Sequence, residues 1–217
     1  MIEKTLLVYG DSLSWGIVPG TRHRRRFEKR WPGILQQSLG NRFRVVEDCL
    51  NGRTTAFEHP LLPGRNGAAS LLQSLERHFP LDLIIFMLGV NDFQRIVGVT
   101  AWESAQGLAK LIDVVRLSKP EPTYDPPGIL VISPPVITKP VGTAADKFLG
   151  AEQQSPHQGP QFEEVTARKD CFFLDASQHI APSDVDGVHL DEDAHERLAE
   201  AALPVVEKIL ALEENAG

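Results

Sequence analysis

Residues 5–16 read TLLVYGDSLSWG, from Thr5 to Gly16. Its first five residues form an apolar run of strand length, and the run ends at Gly10. Ser12 follows at the turn into a short helix, where glycines allow tight geometry and a helix N-terminus leaves backbone N–H groups free. A strand, a turn with a polar residue and a helix are the opening unit of a parallel sheet covered by helices.

Four more apolar runs of strand length follow along the chain: Phe43–Cys49, Leu83–Leu88, Ile129–Ser133 and Cys171–Leu174. Segments of helical periodicity separate them. Thr100 and Glu103 form a capping box, and the apolar residues behind it share one helical face: Ala101, Ala105, Leu108, Ile112 and Val115. This alternation predicts a five-stranded parallel sheet with helices on both faces.

The sequence also indicates the structure of three further segments. The last helix should begin near Asp191 and kink or break at Pro204, with the following residues toward the sheet: Leu198, Ala202, Val205, Ile209 and Leu212. The segments Gly16–Trp31 and Pro135–Pro160 lack helical or strand periodicity, and we expect both to be loops over the functional site.

The composition describes one ordinary globular domain over residues 1–217. A net charge of −7 gives no positive field that would collect phosphates, so we expect no nucleic-acid partner. The opening residues lack the features of a secretion signal, and no run reaches the roughly 18 apolar residues that span a bilayer. We therefore expect a cytoplasmic protein without membrane insertion and with two free thiols, Cys49 and Cys171. Whether it forms a homo-oligomer stays open.

The informative feature is the position of the polar residues relative to the strands. Ser12 follows the first strand, Gly52 the second and Asn91 the third, while Asp186 and His189 follow the fifth. In a doubly wound sheet these positions lie at the carboxyl edge, where such folds bind ligands. We therefore expect residues that are distant in sequence to meet there.

These residue types suit acyl transfer. Asp186 can hold one ring nitrogen of His189 while the other removes the proton of Ser12. The Asn91 amide and the backbone N–H groups of Ser12 and Gly52 could bind the resulting oxyanion. Taken singly, each feature has a structural alternative: a helix-capping serine, an Asx turn at Asn91 and a plain tight turn at Gly52.

Two other classes of function remain open. A metal-dependent phosphoesterase could use Asp11, Asp92, Asp186 and His189 as ligands, although a turn-stabilising role is the more common one for Asp92. A non-catalytic binding module could share the fold. The other six histidines lack partners at metal-binding spacing and are expected to be surface or packing residues.

Four blocks together resemble the conserved blocks of SGNH (GDSL) hydrolases: Gly10–Gly16, Gly52, Gly89–Asp92 and Asp186–His189. Further stretches resemble the arylesterase and acyltransferase branch of that family, including perhydrolase-like members: Asn51–Thr55, Arg65–Ala68, Pro80–Leu83 and Ser133–Pro135.

The resemblance implies a three-layer α/β/α sandwich around a flavodoxin-like, five-stranded parallel sheet. It implies Ser12 as nucleophile, His189 as base, Asp186 as its carboxylate, and Ser12, Gly52 and Asn91 as oxyanion donors. No metal or organic cofactor is expected. The implied substrates are small esters with short acyl or aryl groups, cleaved through an acyl-enzyme, and acyl transfer to an alcohol or to peroxide stays open.

Two features beside the nucleophile concern the substrate pocket. Trp15 could form a wall of the acyl pocket or simply pack the first helix. The segment Arg22–Arg30 holds six basic residues and one acidic residue, Glu28. It is either a solvated or subunit-contact face, or a cationic mouth that attracts anionic esters.

Overall fold

The computed structural model describes residues 4–118 and 125–216, with side chains described up to Ala211. Five parallel strands form one sheet in the order β2-β1-β3-β4-β5. Their bounds are β1 Lys4–Gly10, β2 Phe43–Cys49, β3 Leu83–Met87, β4 Gly128–Ser133 and β5 Phe172–Asp175. The predicted three-layer α/β/α architecture is confirmed, and each predicted strand lies within one or two residues of its observed bounds.

Seven α-helices lie in the described part of the chain: α1 Ser12–Trp15, α2 Trp31–Leu39, α3 Gly67–His78, α4 Ala101–Leu117, α5 Thr143–Lys147, α6 Ala151–Arg168 and α7 Glu192–Ala216. Successive residues of β1 face opposite layers, because side chains alternate along a strand. Leu6 and Val8 pack with α2 and α7, whereas Leu7 and Tyr9 pack with α3, α4 and α6. The sheet is therefore buried on both faces.

The expectations for two helices are confirmed in large part. The capping box predicted at α4 is present, with Thr100 and Glu103 each accepting a hydrogen bond from the other's backbone N–H. Helix α7 begins directly after Asp191, as expected. The break expected at Pro204 is wrong, because α7 is continuous through it. Pro204 is exposed, so the carbonyl group that lacks its N–H partner can be hydrated instead.

The prediction of a loop over Pro135–Pro160 is also wrong from Thr143 onward, where α5 and the first part of α6 form. Pro156 and Pro160 lie on the exposed side of α6, where water can satisfy the carbonyl groups left free. The buried side begins with polar residues: Ser155 accepts a hydrogen bond from the Ile137 N–H, and Gln158 donates one to Ser104. Hydrophobic periodicity is therefore absent where this helix begins.

The strand order creates a topological switch point between β1 and β3. The chain moves outward from β1 to β2 and then returns to add β3 on the other side of β1. Loops after β1 and β3 consequently diverge and leave a crevice at the carboxyl edge, where such sheets bind ligands. No helix in the described residues is both long enough and apolar enough to span a bilayer.

Candidate active site

Ser12, His189 and Asp186 form one row of hydrogen bonds at the carboxyl edge of the sheet. The His189 Nε2 atom lies 3.2 Å from Ser12 Oγ, and His189 Nδ1 lies 2.8 Å from Asp186 Oδ2. A carboxylate only accepts hydrogen bonds, so Nδ1 carries the proton and Nε2 presents its lone pair to the hydroxyl group. The structure thus brings together the three residues that the sequence singled out.

Both oxygens of Asp186 are fully engaged. Its Oδ1 atom accepts hydrogen bonds from the backbone N–H groups of Val188 (3.0 Å) and His189 (2.9 Å). Its Oδ2 atom accepts one from the Gly20 N–H at 3.1 Å, in addition to the imidazole. Partial burial opposes ionisation, but the His189 side chain and these N–H groups outweigh it and hold the pKa of Asp186 well below its usual range. The carboxylate is therefore charged and its orientation is fixed.

The turn that carries Asp186 and His189 crosses the sheet edge from β5 toward β1. Ser183 donates its N–H to the His189 carbonyl at 2.7 Å, and Gly187 donates to the Ser183 carbonyl at 2.8 Å. Gly187 has a φ of 73°, and a Cβ atom there would lie 2.1 Å from the Lys139 carbonyl oxygen. Only glycine fits this close crossing, so the turn packs directly on the segment before α5.

Asn91 lies on the 3-10 turn Val90–Phe93 after β3, beside the loop that carries Gly52. Its Nδ2 atom donates to the Arg53 carbonyl and to Asp11 Oδ2, both at 3.1 Å. The N–H groups of Ser12 and Gly52 have no hydrogen-bond acceptor among the residues that the structure describes. The residues expected to bind an oxyanion thus lie on loops that contact one another.

Arg53 anchors the Gly52 loop to the first strand. Its guanidinium group donates to the Gly10 carbonyl at 3.1 Å and to Asp48 Oδ1 at 2.8 Å, and it stacks 3.9 Å above the Tyr9 ring. The Arg53 side chain is almost fully buried. These contacts fix the loop after β2 against the end of β1, next to the nucleophile turn.

Asp11 and Asp92 are fully buried but act within the fold. Asp11 caps α1 through Leu13 N–H at 2.9 Å and accepts the Asn91 amide. Asp92 accepts from the Thr55 N–H and hydroxyl and from the Ser104 hydroxyl, at 2.7–2.9 Å. Burial raises the pKa of Asp11 to about 7 and that of Asp92 to about 6, although these hydrogen bonds oppose the shift.

This arrangement bears on the phosphoesterase alternative. Asp11 and Asp92 direct their oxygens at neighbouring N–H and O–H groups rather than toward His189. Within residues 4–118 and 125–216, no group of three or more His, Cys, Asp and Glu side chains is arranged to hold a metal ion. The four ligands that this alternative needs are therefore not assembled, and the structural role favoured for Asp92 agrees with its contacts.

Sequence reasoning missed two buried polar residues next to Asn91. Gln94 donates to Asn91 Oδ1 at 2.6 Å, and Gln94 Oε1 lies 3.0 Å from His59 Nε2. His59 was expected to be a surface or packing residue. Its ring is buried, which agrees with the packing option, and it is also hydrogen-bonded, which the sequence did not indicate. The available sequence signal was the position of Gln94, three residues after Asn91 and directly after the same turn.

Trp15 is half-buried, and the Arg24 guanidinium group covers one face of its ring at 4.7 Å. Both alternatives for Trp15, pocket wall and packing residue, are compatible with this position. Most of the basic segment that includes Arg24 is paired with carboxylates outside it. Arg24 and Arg30 bind Glu47, while Arg25 and Lys29 bind Glu192. These contacts favour the structural interpretation of the segment over a cationic mouth.

The pairing of Arg30 with Glu47 predicts a large effect on stability. Both side chains are less than one-tenth exposed, with Nε–Oε1 at 2.9 Å and Nη2–Oε2 at 2.5 Å. Glu47→Ala should lower the free energy of unfolding by about 3–5 kcal/mol, because a buried guanidinium group loses its counter-charge. Urea denaturation measures the change.

Glu164→Ala is the matched control, since Glu164 pairs with Arg168 on the exposed surface of α6 at 3.0 Å. Loss of this ion pair should lower the free energy of unfolding by less than about 1 kcal/mol. The double variant Glu47→Ala/Arg30→Met should recover stability relative to Glu47→Ala, because no buried charge remains unpaired. Equal urea midpoints for Glu47→Ala and Glu164→Ala would show that the buried ion pair contributes no more to stability than a surface ion pair.

A hydroxyl, an imidazole and a carboxylate in this row, at the switch point of a three-layer α/β/α sheet, define the class of serine hydrolases. The model of the GDSL-like Lipase/Acylhydrolase family matches residues 8–197. The chain belongs to this family, and it is a carboxylic ester hydrolase of the SGNH type that resembles arylesterases.

Solved structures give further comparisons. A carbohydrate acetylesterase family member from Sinorhizobium meliloti is 38% identical, with a TM-score of 0.92 over 96% of this chain and 99% of that chain. The inhibitor-bound aryl esterase of M. smegmatis is 34% identical, with a TM-score of 0.92 over 95% and 99%. A second S. meliloti carbohydrate acetylesterase is 30% identical, with a TM-score of 0.90 over 96% and 99%. Comparison with curated protein sequences gives no match.

Proposed function

We propose that this hydrolase cleaves its ester through a covalent acyl-enzyme formed on Ser12. The observation that supports it most is the continuous row from Ser12 Oγ to His189 Nε2 and from His189 Nδ1 to Asp186 Oδ2. His189 takes the serine proton as Oγ attacks the carbonyl carbon, and then gives it to the leaving alcohol. Water, activated by the same imidazole, releases the acid and restores Ser12.

In this proposal the tetrahedral oxyanion accepts hydrogen bonds from the Ser12 and Gly52 N–H groups and from the Asn91 amide. Asn91 has two amide hydrogens, and the resting structure gives one to Asp11 and one to Arg53. One of them must turn from its present acceptor to the oxyanion. Asn91 therefore contributes most when negative charge has developed on the oxygen, so it acts on kcat more than on KM.

For the substrate we propose small esters with short acyl or aryl groups. The structural relatives described as carbohydrate acetylesterases and an aryl esterase support this size class. Trp15, next to the nucleophile turn, is our proposed wall of the acyl pocket. Acyl transfer to an alcohol or to peroxide uses the same acyl-enzyme, with the acceptor in place of water.

A panel of p-nitrophenyl esters of increasing acyl length tests the proposal, with and without added alcohol. We expect kcat/KM to be highest for acetate or propionate and to fall with chain length. A serine-directed phosphonate should abolish turnover and add its mass to the peptide that carries Ser12. Activity that survives the phosphonate but is lost with a chelator would favour the phosphoesterase alternative instead, and no turnover of any ester would favour a binding module.

A further inference from the structure

Asn91 accepts a hydrogen bond from a buried row of side chains that begins outside the triad. His59 Nε2 lies 3.0 Å from Gln94 Oε1, and Gln94 Nε2 donates to Asn91 Oδ1 at 2.6 Å. His59, Gln94 and Asn91 are 7%, 1% and 1% exposed. Buried polar groups require partners, so each member constrains the orientation of the next one.

The direction of the row is set by the backbone. The N–H groups of Leu61 and Leu62 both point at His59 Nδ1, at 3.2 and 3.1 Å. That nitrogen is therefore an acceptor, and the proton of the neutral ring lies on Nε2. The Nε2–H group then donates to Gln94 Oε1, which leaves the Gln94 NH₂ group to donate to Asn91 Oδ1. Each amide in the row has a single orientation that satisfies its neighbours.

We propose that Gln94 and His59 are positioning residues for the oxyanion hole, which hold the Asn91 amide with its NH₂ group toward the reacting carbonyl. The inference rests on the proposed function, because it assigns a role within that reaction. Asp11 and the Arg53 carbonyl favour the same orientation in the resting enzyme, but one of them loses its amide hydrogen when the oxyanion forms. The bond from Gln94 to Oδ1 is the contact that persists through this exchange.

Replacing Gln94 by glutamate and by methionine separates orientation from packing. The glutamate side chain is nearly isosteric with glutamine, but its carboxylate cannot donate to Asn91 Oδ1 and repels it, so the amide turns or shifts. The methionine side chain only removes the donor. For a neutral ester we expect kcat to be highest in wild type, lower in Gln94→Met and lowest in Gln94→Glu. The kcat of Gln94→Glu should be at least about tenfold below that of wild type, with KM little changed.

Gln36→Glu is the control for loss of a partly buried, hydrogen-bonded amide elsewhere in the fold. Gln36 Nε2 donates to the Gly40 and Phe43 carbonyls, at 3.3 and 2.9 Å, near the amino end of β2 and away from the carboxyl edge of the sheet. This change should lower the melting temperature while leaving kcat unchanged. A Gln94→Met variant that is as slow as or slower than Gln94→Glu would point to packing and overturn the proposal.

The pH dependence gives a second signature. In Gln94→Glu, the protonated form of the new side chain has an O–H group that can donate to Asn91 Oδ1 and a carbonyl that can accept from His59, as the wild-type amide does. The titratable groups on or beside this row are His59, Asp11 and Asp92. Lys147 of α5 and Arg53 interact with Asp11, and all of these groups are also present in wild type. The ratio of variant to wild-type kcat should therefore rise as pH falls from about 9 to about 6. A ratio that falls over the same range contradicts the proposal, because the protonated side chain would then serve Asn91 less well than the carboxylate does.

A double-mutant cycle with Asn91→Ala decides whether Gln94 acts through Asn91. Asn91→Ala alone should lower kcat by about 10² to 10³. In that background Gln94→Glu should have little further effect, because the amide that it orients is gone. An undiminished effect of Gln94→Glu would overturn the inference. It would leave the proposed function intact, because the phosphonate and Ser12→Ala experiments that test that function do not depend on Gln94.

His59→Asn is a second variant, and it tests the proposal even if the Gln94→Glu protein does not fold. The asparagine oxygen can occupy the place of Nδ1 and accept the Leu61 and Leu62 N–H groups, but the shorter side chain does not reach Gln94. We expect kcat to fall measurably, by less than in Asn91→Ala, and the fall should vanish in the Asn91→Ala background. An effect that persists in the Asn91→Ala background would show that His59 stabilises only its own loop and does not act through Asn91.

Discussion

Replacing Ser12 by alanine is expected to reduce ester hydrolysis to the residual rate that the oxyanion donors and binding supply. In comparable triads this residual is about 10³- to 10⁴-fold above the uncatalysed rate in water. The reason is that no acyl-enzyme can form, so water must attack the bound ester directly. Steady-state kinetics with p-nitrophenyl acetate measure the loss, and labelling by a serine-directed phosphonate should disappear with it.

Ser14→Ala is the control for a serine lost from the same short helix. Ser14 Oγ accepts the Trp31 indole N–H at 3.2 Å in the buried layer beneath α1. Its loss leaves that donor unsatisfied and should destabilise the fold by about 1–3 kcal/mol. Turnover by the folded Ser14→Ala protein should stay near wild type. If Ser12→Ala retained wild-type hydrolysis instead, the serine mechanism would be wrong.

The strands and the site were predictable for a common physical reason. Strands buried on both faces are continuous apolar runs, and Leu6 to Tyr9 are fully buried. The polar residue that follows each run must then lie at the carboxyl edge. Ser12 and Asn91 needed only this rule to be placed together, whereas the Asp186–His189 turn lies beyond the end of β5 and was singled out by its paired carboxylate and imidazole. Their mutual distances depend on loop geometry, such as the Gly187 crossing, which no local pattern encodes.

Helix α6 was missed because its buried side is held by hydrogen bonds as well as by apolar contacts. Ser155 and Gln158 satisfy partners on two other segments, so the periodic hydrophobic signal appears only from Phe162 onward. Pro156 and Pro160 added an apparent loop signal. Whether a proline disrupts a helix depends on which side faces water, and that is decided by tertiary packing.

The row that begins at His59 was missed for a related reason. Gln94 and His59 are 35 residues apart in sequence and meet only after the loop following β2 has folded over the Asn91 turn. Neither residue has a motif around it. For the basic segment, the sequence left a solvated face and a cationic mouth both open, because Glu47 and Glu192, which pair with it, lie outside the segment in sequence.

Asp186→Asn is expected to lower kcat by up to about 10⁴-fold while leaving the turn in place. The oxygen of the new amide can still accept the Val188 and His189 N–H groups, as Asp186 Oδ1 does. Its NH₂ group then faces the positions of His189 Nδ1–H and Gly20 N–H, which are both donors. To accept from this amide, His189 must move its proton to Nε2, where it faces Ser12 and can no longer take the serine proton. The imidazolium ion formed during attack also loses its counter-charge.

Asp184→Asn removes the same charge two residues earlier, at an exposed position, and should leave kcat and KM unchanged. The loss in Asp186→Asn should not respond to Zn²⁺ or Mn²⁺, because the carboxylate acts on the imidazole and not on a metal ion. Kinetics of the two variants, each with and without added metal and EDTA, therefore separate the two mechanisms. Recovery of Asp186→Asn by metal, or loss of wild-type activity with EDTA, would assign the carboxylate to a metal site. A loss below about tenfold would mean that the orientation and charge of His189 do not depend on Asp186, because changing the tautomer in other triads costs far more.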